Sequence, residues 1–283
     1  MYKIIDGKAL AYNMRADIKT QVEKFTKDNG RHIGLAVVLV GEDPASQIYV
    51  RNKIKACEEV GIKSYSYRLD GAVTQGELEE LLYELAQNNN VDGILVQLPL
   101  PDHIDSESAL RIIPDYKDVD GFSENNIGKL CQGKESIVAC TPNGVMKMLE
   151  SCKIDLCGKK AVIVGRSNIV GKPMALLLLN ADATVTVCHS KTRNLKQECL
   201  GADVIIAAVG RAKFVTADMV KDGAVVIDVG MNRDENGKLC GDVDFDSVKE
   251  KCSYITPVPG GVGPMTITML MYNTYLSAIR SKG

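Results

Sequence analysis

Residues 160–179 read KAVIVGRSNIVGKPMALLLL. An uncharged, β-branched run (Ala161–Val164) ends at Gly165. A short turn carries the chain to Gly171, and Pro173 then opens an apolar stretch of helical character. Strand, glycine turn and helix in this order form the start of a βα unit, whose strands lie parallel. Gly165, Ser167 and Gly171 give the spacing GxSxxxG rather than GxGxxG. Small residues there let the backbone approach a pyrophosphate, which then rests on a helix N-terminus. The same glycines also suit a turn that is merely tightly packed.

The next apolar run, ATVTVCH at 183–189, narrows the choice. In an NAD site this strand ends in Asp or Glu, which holds the ribose hydroxyls. Here it runs into His189, Ser190, Lys191 and Arg193 with no carboxylate, and Arg166 lies in the glycine turn itself. Cations and a hydroxyl at this point favour a 2′-phosphate, hence NADP, although Lys191 and Arg193 taken singly also read as solvated loop charges.

Around this unit the pattern repeats. ADVIIAAVG, AVVIDVG and SYITPVP supply further strands, and a final helix is expected over about Met265–Ile279. In the first half, a helix over about Ala9–Lys27 precedes strands IGLAVVLVG, IKSYSYRL and VDGILVQL, separated by helices at 46–60 and 74–88. A short helix SESALRII ends at Pro114. Residues 114–136 read as loop, and CTPNGVMKMLESC starts a new helix with Thr141 as N-cap. The expectation is α/β throughout: two α/β domains across a cleft, the second a Rossmann-type parallel sheet. The first spans 1–138, completed by a C-terminal helix at 265–283, and the second spans 139–264.

Composition excludes several classes. A net charge of −2 lacks the basic surplus of a nucleic-acid binder. The longest apolar runs are too short to span a bilayer, so no membrane partner is expected. Nine cysteines, an odd number with no CxxC pair, and three dispersed histidines point to free thiols and no metal site. MYKIIDGKAL lacks the apolar core of a signal peptide, and a cytoplasmic protein is expected.

One helix holds an anomaly. In SQIYVRNKIKACEEVG, residues 46–61, Gln47, Arg51, Asn52, Lys55, Glu58 and Glu59 share one arc. The opposite arc collects Val50, Ile54, Ala56, Cys57 and Val60, and among these sit Tyr49 and Lys53, one turn apart. A lysine there either snorkels along the core edge or serves a site. Gln97 interrupts an apolar strand at its carboxyl end, where βα sheets present their chemistry. Asp118 and Asp120 in KDVDGF are candidates on the same side, with turn residues as the alternative. Near the end, TPVPGGVGPMT packs prolines and glycines ahead of a helix.

The stretches ASQIYVRNK, VQLPLPDH, KDVDGF, CTPNG, VGRSNIVGKPMA, CGDVDF and TPVPGGVGPMTITML occur in order over nearly the whole chain. Together they resemble the bifunctional methylenetetrahydrofolate dehydrogenase/methenyltetrahydrofolate cyclohydrolase family. The resemblance implies NADP-dependent oxidation of 5,10-methylenetetrahydrofolate to the methenyl form, then hydrolysis to 10-formyltetrahydrofolate. It also implies a homodimer built through the nucleotide-binding domain. It assigns Lys53 as catalytic with Tyr49 and Gln97 beside it, and Asp120 as the anchor of the pterin. It places the loop bearing Pro257, Gly260 and Gly261 next to the ligands, and NADP on Gly165, Arg166, Ser167, Gly171, Ser190 and Arg193. A dehydrogenase for another small substrate and a catalytically silent nucleotide-sensing or scaffold protein are the competing readings; the first leaves Lys53 and Gln97 without a joint role, and the second does not account for so many polar residues converging on one cleft.

Overall fold

The computed structural model describes residues 2–280. The chain divides into two compact units, one formed by residues up to Tyr12 with Thr141–Thr266, the other by Asn13–Cys140 with the chain from Ile267 onward. The first twelve residues, expected with the 1–138 domain, therefore group with the other unit. The reason is a short strand, β1 (Lys3–Ile4), that pairs in parallel with a strand near residue 254. A two-residue strand carries too little periodicity to be seen in sequence.

After α1 (Gly7–Asn29), the chain forms β2 (Gly34–Val40), α2 (Pro44–Val60), β3 (Lys63–Leu69), α3 (Gln75–Gln87) and β4 (Gly93–Val96). The three strands make a parallel sheet in the order β3-β2-β4. Every residue of β2 is buried, as expected of a parallel strand covered on both faces. Its side chains alternate between two cores. Leu35, Val37 and Leu39 pack with Ile18, Val22, Val50, Cys57 and Val60 from α1 and α2. Ala36, Val38 and Val40 pack with Leu78, Leu82 and Leu85 of α3.

The helix ends follow local chemistry. Asp43 caps α2 by accepting from the Ser46 N–H at 2.7 Å, Pro44 occupies the first turn, and Gly61 closes the helix at φ 81°. Thr74 and Glu77 form a reciprocal capping box at α3. Then come α4 (Ser106–Arg111) and α5 (Glu124–Cys131). The second of these lies inside the stretch expected to be loop. Ser123 caps it, but only Asn126 and Leu130 are buried, so its apolar stripe is too thin to stand out.

The other unit runs through α6 (Cys140–Ser151), β5 (Lys160–Val164), α7 (Gly171–Asn180), β6 (Thr184–Cys188), α8 (Leu195–Leu200), β7 (Val204–Ala207) and β8 (Ala224–Asp228). A small antiparallel pair, β9 (Asn232–Arg233) and β10 (Leu239–Cys240), precedes α9 (Phe245–Val248), β11 (Cys252–Ile255) and α10 (Val262–Arg280). The six-stranded sheet has the order β1-β11-β8-β7-β5-β6 and parallel pairings throughout. The strand order reverses at β5, which puts the glycine turn of residues 165–171 at the switch point where such sheets bind ligands. Thr141 is not an N-cap: α6 already begins at Cys140, and the Thr141 hydroxyl pairs with that of Thr266 at 2.9 Å. Within α10, Met269, Leu270, Met271 and Ala278 belong to the core shared by α1 and α2.

Candidate active site

The unit built on β2 brings Lys53 and Gln97 together. Lys53, half-buried one turn beyond Tyr49 on α2, donates from Nζ to Gln97 Oε1 at 2.9 Å. Gln97 directly follows β4. Its backbone N–H donates to Val38 O at 2.8 Å, continuing the sheet ladder, and its Nε2 donates to Leu98 O at 2.6 Å. With the nitrogen so occupied, the amide oxygen is turned toward the ammonium group. Tyr49 is half-buried, and that burial pushes its hydroxyl pKa up.

The KDVDGF aspartates part ways. Asp118 accepts from Gly121 N at 3.0 Å, Ser123 N at 2.7 Å and Asn126 Nδ2 at 3.1 Å, and so works as the turn-builder. Its neighbour Lys117 is buried and donates to Leu85 O, Ala86 O and Asn88 O at the end of α3. Asp120 lies within electrostatic reach of Lys53. Burial pushes its carboxyl up to about 6, the Lys53 charge pulls it down, and Asp118 pushes it up.

Two further residues surround this carboxylate that sequence reading did not assign to the site. Cys140 is buried and donates from Sγ to Val119 O at 3.3 Å. Burial, and then the negative charge of Asp120, hold its thiol pKa well above the ordinary value. Asn273, fully buried on α10, reaches the same segment. The signal that could have found it is an amide in the middle of the apolar run MLMYNTYL.

The unit containing β5 carries the glycine turn. Gly165 has φ 133°, and a Cβ there would lie 2.1 Å from Ala208 O. A Cβ on Gly171 would lie 2.4 Å from Gly165 O. Neither position admits a side chain. Ser167 Oγ accepts from Val170 N at 3.2 Å and Gly171 N at 3.4 Å, taking up N–H groups at the start of α7 that have no helical acceptor. After β6, the loop is held by His189 N donating to Thr192 Oγ1 at 2.8 Å and Lys191 N donating to His189 Nδ1 at 3.1 Å. Arg166, Ser190 and Arg193 are exposed. A cramped turn at a helix N-terminus, with guanidinium and hydroxyl donors and no carboxylate over 189–194, fits a dinucleotide bearing a ribose phosphate.

In the same unit, Pro257, Gly260 and Gly261 follow β11. Gly260 has φ 104°, and a Cβ on Gly261 would meet Pro257 O at 2.5 Å. Lys8 N donates to Gly260 O at 3.0 Å, which ties this loop to the first turn of α1. The CGDVDF stretch has a structural task. Asp228 accepts from Gly230, Asp242 and Val243 N–H, and Asp242 from Val209, Gly210 and Arg211 N–H. Burial pushes Asp228 up to about 7, against the pull of its backbone donors and with Asp242 adding repulsion.

Among the described residues no group of His, Cys, Asp and Glu could hold a metal ion, and no helix is long and apolar enough to cross a membrane.

Residues 5–120 match the family model for the catalytic domain of tetrahydrofolate dehydrogenase/cyclohydrolase, and residues 139–282 match that for its NAD(P)-binding domain. The bifunctional protein FolD of Paracidovorax citrulli is 57% identical over 281 residues, covering 99% of both chains. Among solved structures, the bifunctional FolD methylenetetrahydrofolate dehydrogenase/cyclohydrolase of Campylobacter jejuni is 54% identical. It has a TM-score of 0.97 and covers 99% of this chain and 100% of that one. The Trypanosoma brucei methylenetetrahydrofolate dehydrogenase-cyclohydrolase, complexed with NADP and an inhibitor, is 39% identical. Its TM-score is 0.95, with 99% of this chain and 98% of that one covered.

Proposed function

The chain belongs to the tetrahydrofolate dehydrogenase/cyclohydrolase family, and from that membership we propose how its own residues divide the work. The enzyme oxidises 5,10-methylenetetrahydrofolate with NADP to the 5,10-methenyl form and hydrolyses that product to 10-formyltetrahydrofolate. NADP supplies the acceptor for the hydride.

The oxidation asks little acid/base help of the protein, because a folate nitrogen stabilises the cationic carbon left behind. Orientation is the main requirement. Gly165 and Gly171, which leave no room for side chains, would let the backbone hold the pyrophosphate, Ser167 builds the turn, and Arg166, Ser190 and Arg193 would hold the 2′-phosphate. Asp120 accepts N–H donors of the pterin, Tyr49 covers the ring, and the loop bearing Pro257, Gly260 and Gly261 contributes to the folate site.

Hydrolysis makes a different demand. Water adds to the methenyl carbon and gives up a proton, and the departing ring nitrogen takes one up. Lys53, in its neutral amine form, takes the proton from water and, as the ammonium so formed, gives it to the ring nitrogen, with Gln97 holding its nitrogen in place. The observation that carries this assignment is the 2.9 Å Lys53–Gln97 hydrogen bond beside Asp120.

The test is an asymmetry. Lys53→Met keeps the helix and the volume. It is expected to abolish methenyltetrahydrofolate hydrolysis while a measurable part of NADP-dependent oxidation survives, so methenyl product accumulates and is seen by its absorbance. Hydrolysis at the parental rate would leave the lysine as packing.

The family also suggests a homodimer through the nucleotide-binding unit and a cytoplasmic setting. Nine free cysteines suit a reducing compartment. Sedimentation equilibrium at twice the chain mass is the expected result for the dimer.

A further inference from the structure

Asn273 has none of its surface exposed, and Met269, Leu270 and Met271 of the preceding turn are buried with it. Its Nδ2 donates to Val119 O at 2.9 Å and Val138 O at 2.8 Å, and lies 3.5 Å from Cys140 Sγ. The two carbonyls fix which way the amide faces, and its Oδ1 is left buried without a hydrogen-bond partner among the described residues. A buried acceptor of this kind costs about 1–3 kcal/mol, so an apolar residue would fill the space more cheaply. What asparagine contributes here is its donors.

Those donors join two backbone segments around one carboxylate. Val119 immediately precedes Asp120. Val138 and Cys140 belong to the segment on which Gly121 rests, so closely that a Cβ on Gly121 would lie 2.6 Å from Ala139 N and from Val138 C. From the other side, Asp118 gathers the Gly121 and Ser123 N–H groups and the Asn126 amide, while Asn126 Oδ1 accepts from Ile137 N at 3.4 Å. Asp120 thus sits in a backbone clamp, and the bolt of that clamp comes from α10.

We propose that Asn273 is a positioning residue for the folate. By tying Val119 to Val138 it sets the direction of the Asp120 carboxylate and seats the Cys140 thiol beside it, and so governs folate affinity rather than the chemical steps. The proposal rests on the reading of Asp120 as the pterin anchor, and the experiment separates the two.

Michaelis constants are measured for both reactions in Asn273→Ala, Asp120→Asn and the double variant. Displacement of a binding group from afar is expected to cost about tenfold or more. Asn273→Ala should raise KM for methylenetetrahydrofolate and for methenyltetrahydrofolate by that factor, with kcat changed less than about threefold and KM for NADP unaltered. In the Asp120→Asn background the same change should cost less than about twofold, because residues acting through one group are not additive. Additive effects, a fall in kcat at constant folate KM, or a parallel loss of NADP affinity would overturn the proposal. An Asp120→Asn enzyme with unchanged folate KM would instead overturn the Asp120 reading. Asn273→Ser keeps one donor and should fall between parent and Ala variant. If Asn273→Ala does not yield folded enzyme, the serine variant decides on the same criteria.

Discussion

Asp120 is pushed toward neutrality by burial and drawn back by the charge of Lys53, which leaves its carboxyl near 6. A pterin anchor must be ionised to accept paired N–H donors, so folate affinity should weaken as pH falls through about 6. That inflection in folate KM should be missing in Asp120→Asn. Asp120→Ala removes charge-assisted hydrogen bonds worth about 1.5–3 kcal/mol each. We expect calorimetry to show folate affinity lowered roughly 10–100-fold, and NADP affinity nearly unchanged. Normal folate affinity in a folded variant would return Asp120 to the role of a turn residue. The residues of this site were unequally visible in the sequence. Lys53 and Tyr49 betray themselves because a helix repeats every 3.6 residues and a charge on the apolar arc is conspicuous. Gln97 stands out for the same reason in an apolar strand. Asn273 leaves the fainter mark of an amide inside the apolar run MLMYNTYL, and Cys140 leaves none; their roles lie in a contact that closes a separation of 133 residues between them, of which local periodicity carries no trace.

Among the elements, the βα turns are the ones on which the proposed cofactor contacts rest. The turn after β6 presents Ser190 and Arg193 on a loop held by Thr192 and His189. Ser190→Asp should raise KM for NADP through charge repulsion and improve the relative use of NAD. Equal loss with both cofactors would count against contact with the 2′-phosphate. The β8 turn is a stability element instead. Asp228 has a folded pKa near 7, above the ordinary carboxylate value, so the folded state binds the proton more tightly than the unfolded chain does. Its contribution therefore grows as pH drops from about 7 toward about 4, and is lost as pH rises. Asp228→Asn should flatten that part of the Tm–pH curve. It also leaves a buried N–H facing an amide nitrogen, at a cost of about 1–3 kcal/mol, so Tm should drop by roughly 3–10 °C. The long strands and helices were legible because each repeats its period several times. Helix α5, β1 and the β9–β10 pair were not, being short, thinly apolar, or dependent on a distant strand.

At the scale of the whole molecule, each unit is discontinuous in sequence. The unit that holds Lys53, Gln97 and Asp120 also contains the chain from Ile267 onward, and Met269, Leu270 and Met271 belong to its core. Burying such side chains contributes about 1.5–3 kcal/mol each, which together rivals the net stability of a domain, about 5–15 kcal/mol. A chain ended after Pro264 should therefore lose soluble yield and folate binding, although every proposed pterin contact on that unit lies far upstream. Circular dichroism and calorimetry on any soluble fraction would check it; wild-type folate affinity in the shortened chain would contradict the assignment of α10 to that core.

The same arrangement bears on how the protein is made. A ribosome releases Cys140 long before Ile267, with roughly 130 residues still to be translated, or about 6–26 s at 5–20 residues per second. Throughout that interval the nascent β2 sheet lacks the last helix of its core, and the apolar faces of α1 and α2 stay partly uncovered. A chaperone that shields them has its task set by α10, and the unit that holds Lys53, Gln97 and Asp120 is completed only after α10 has been made.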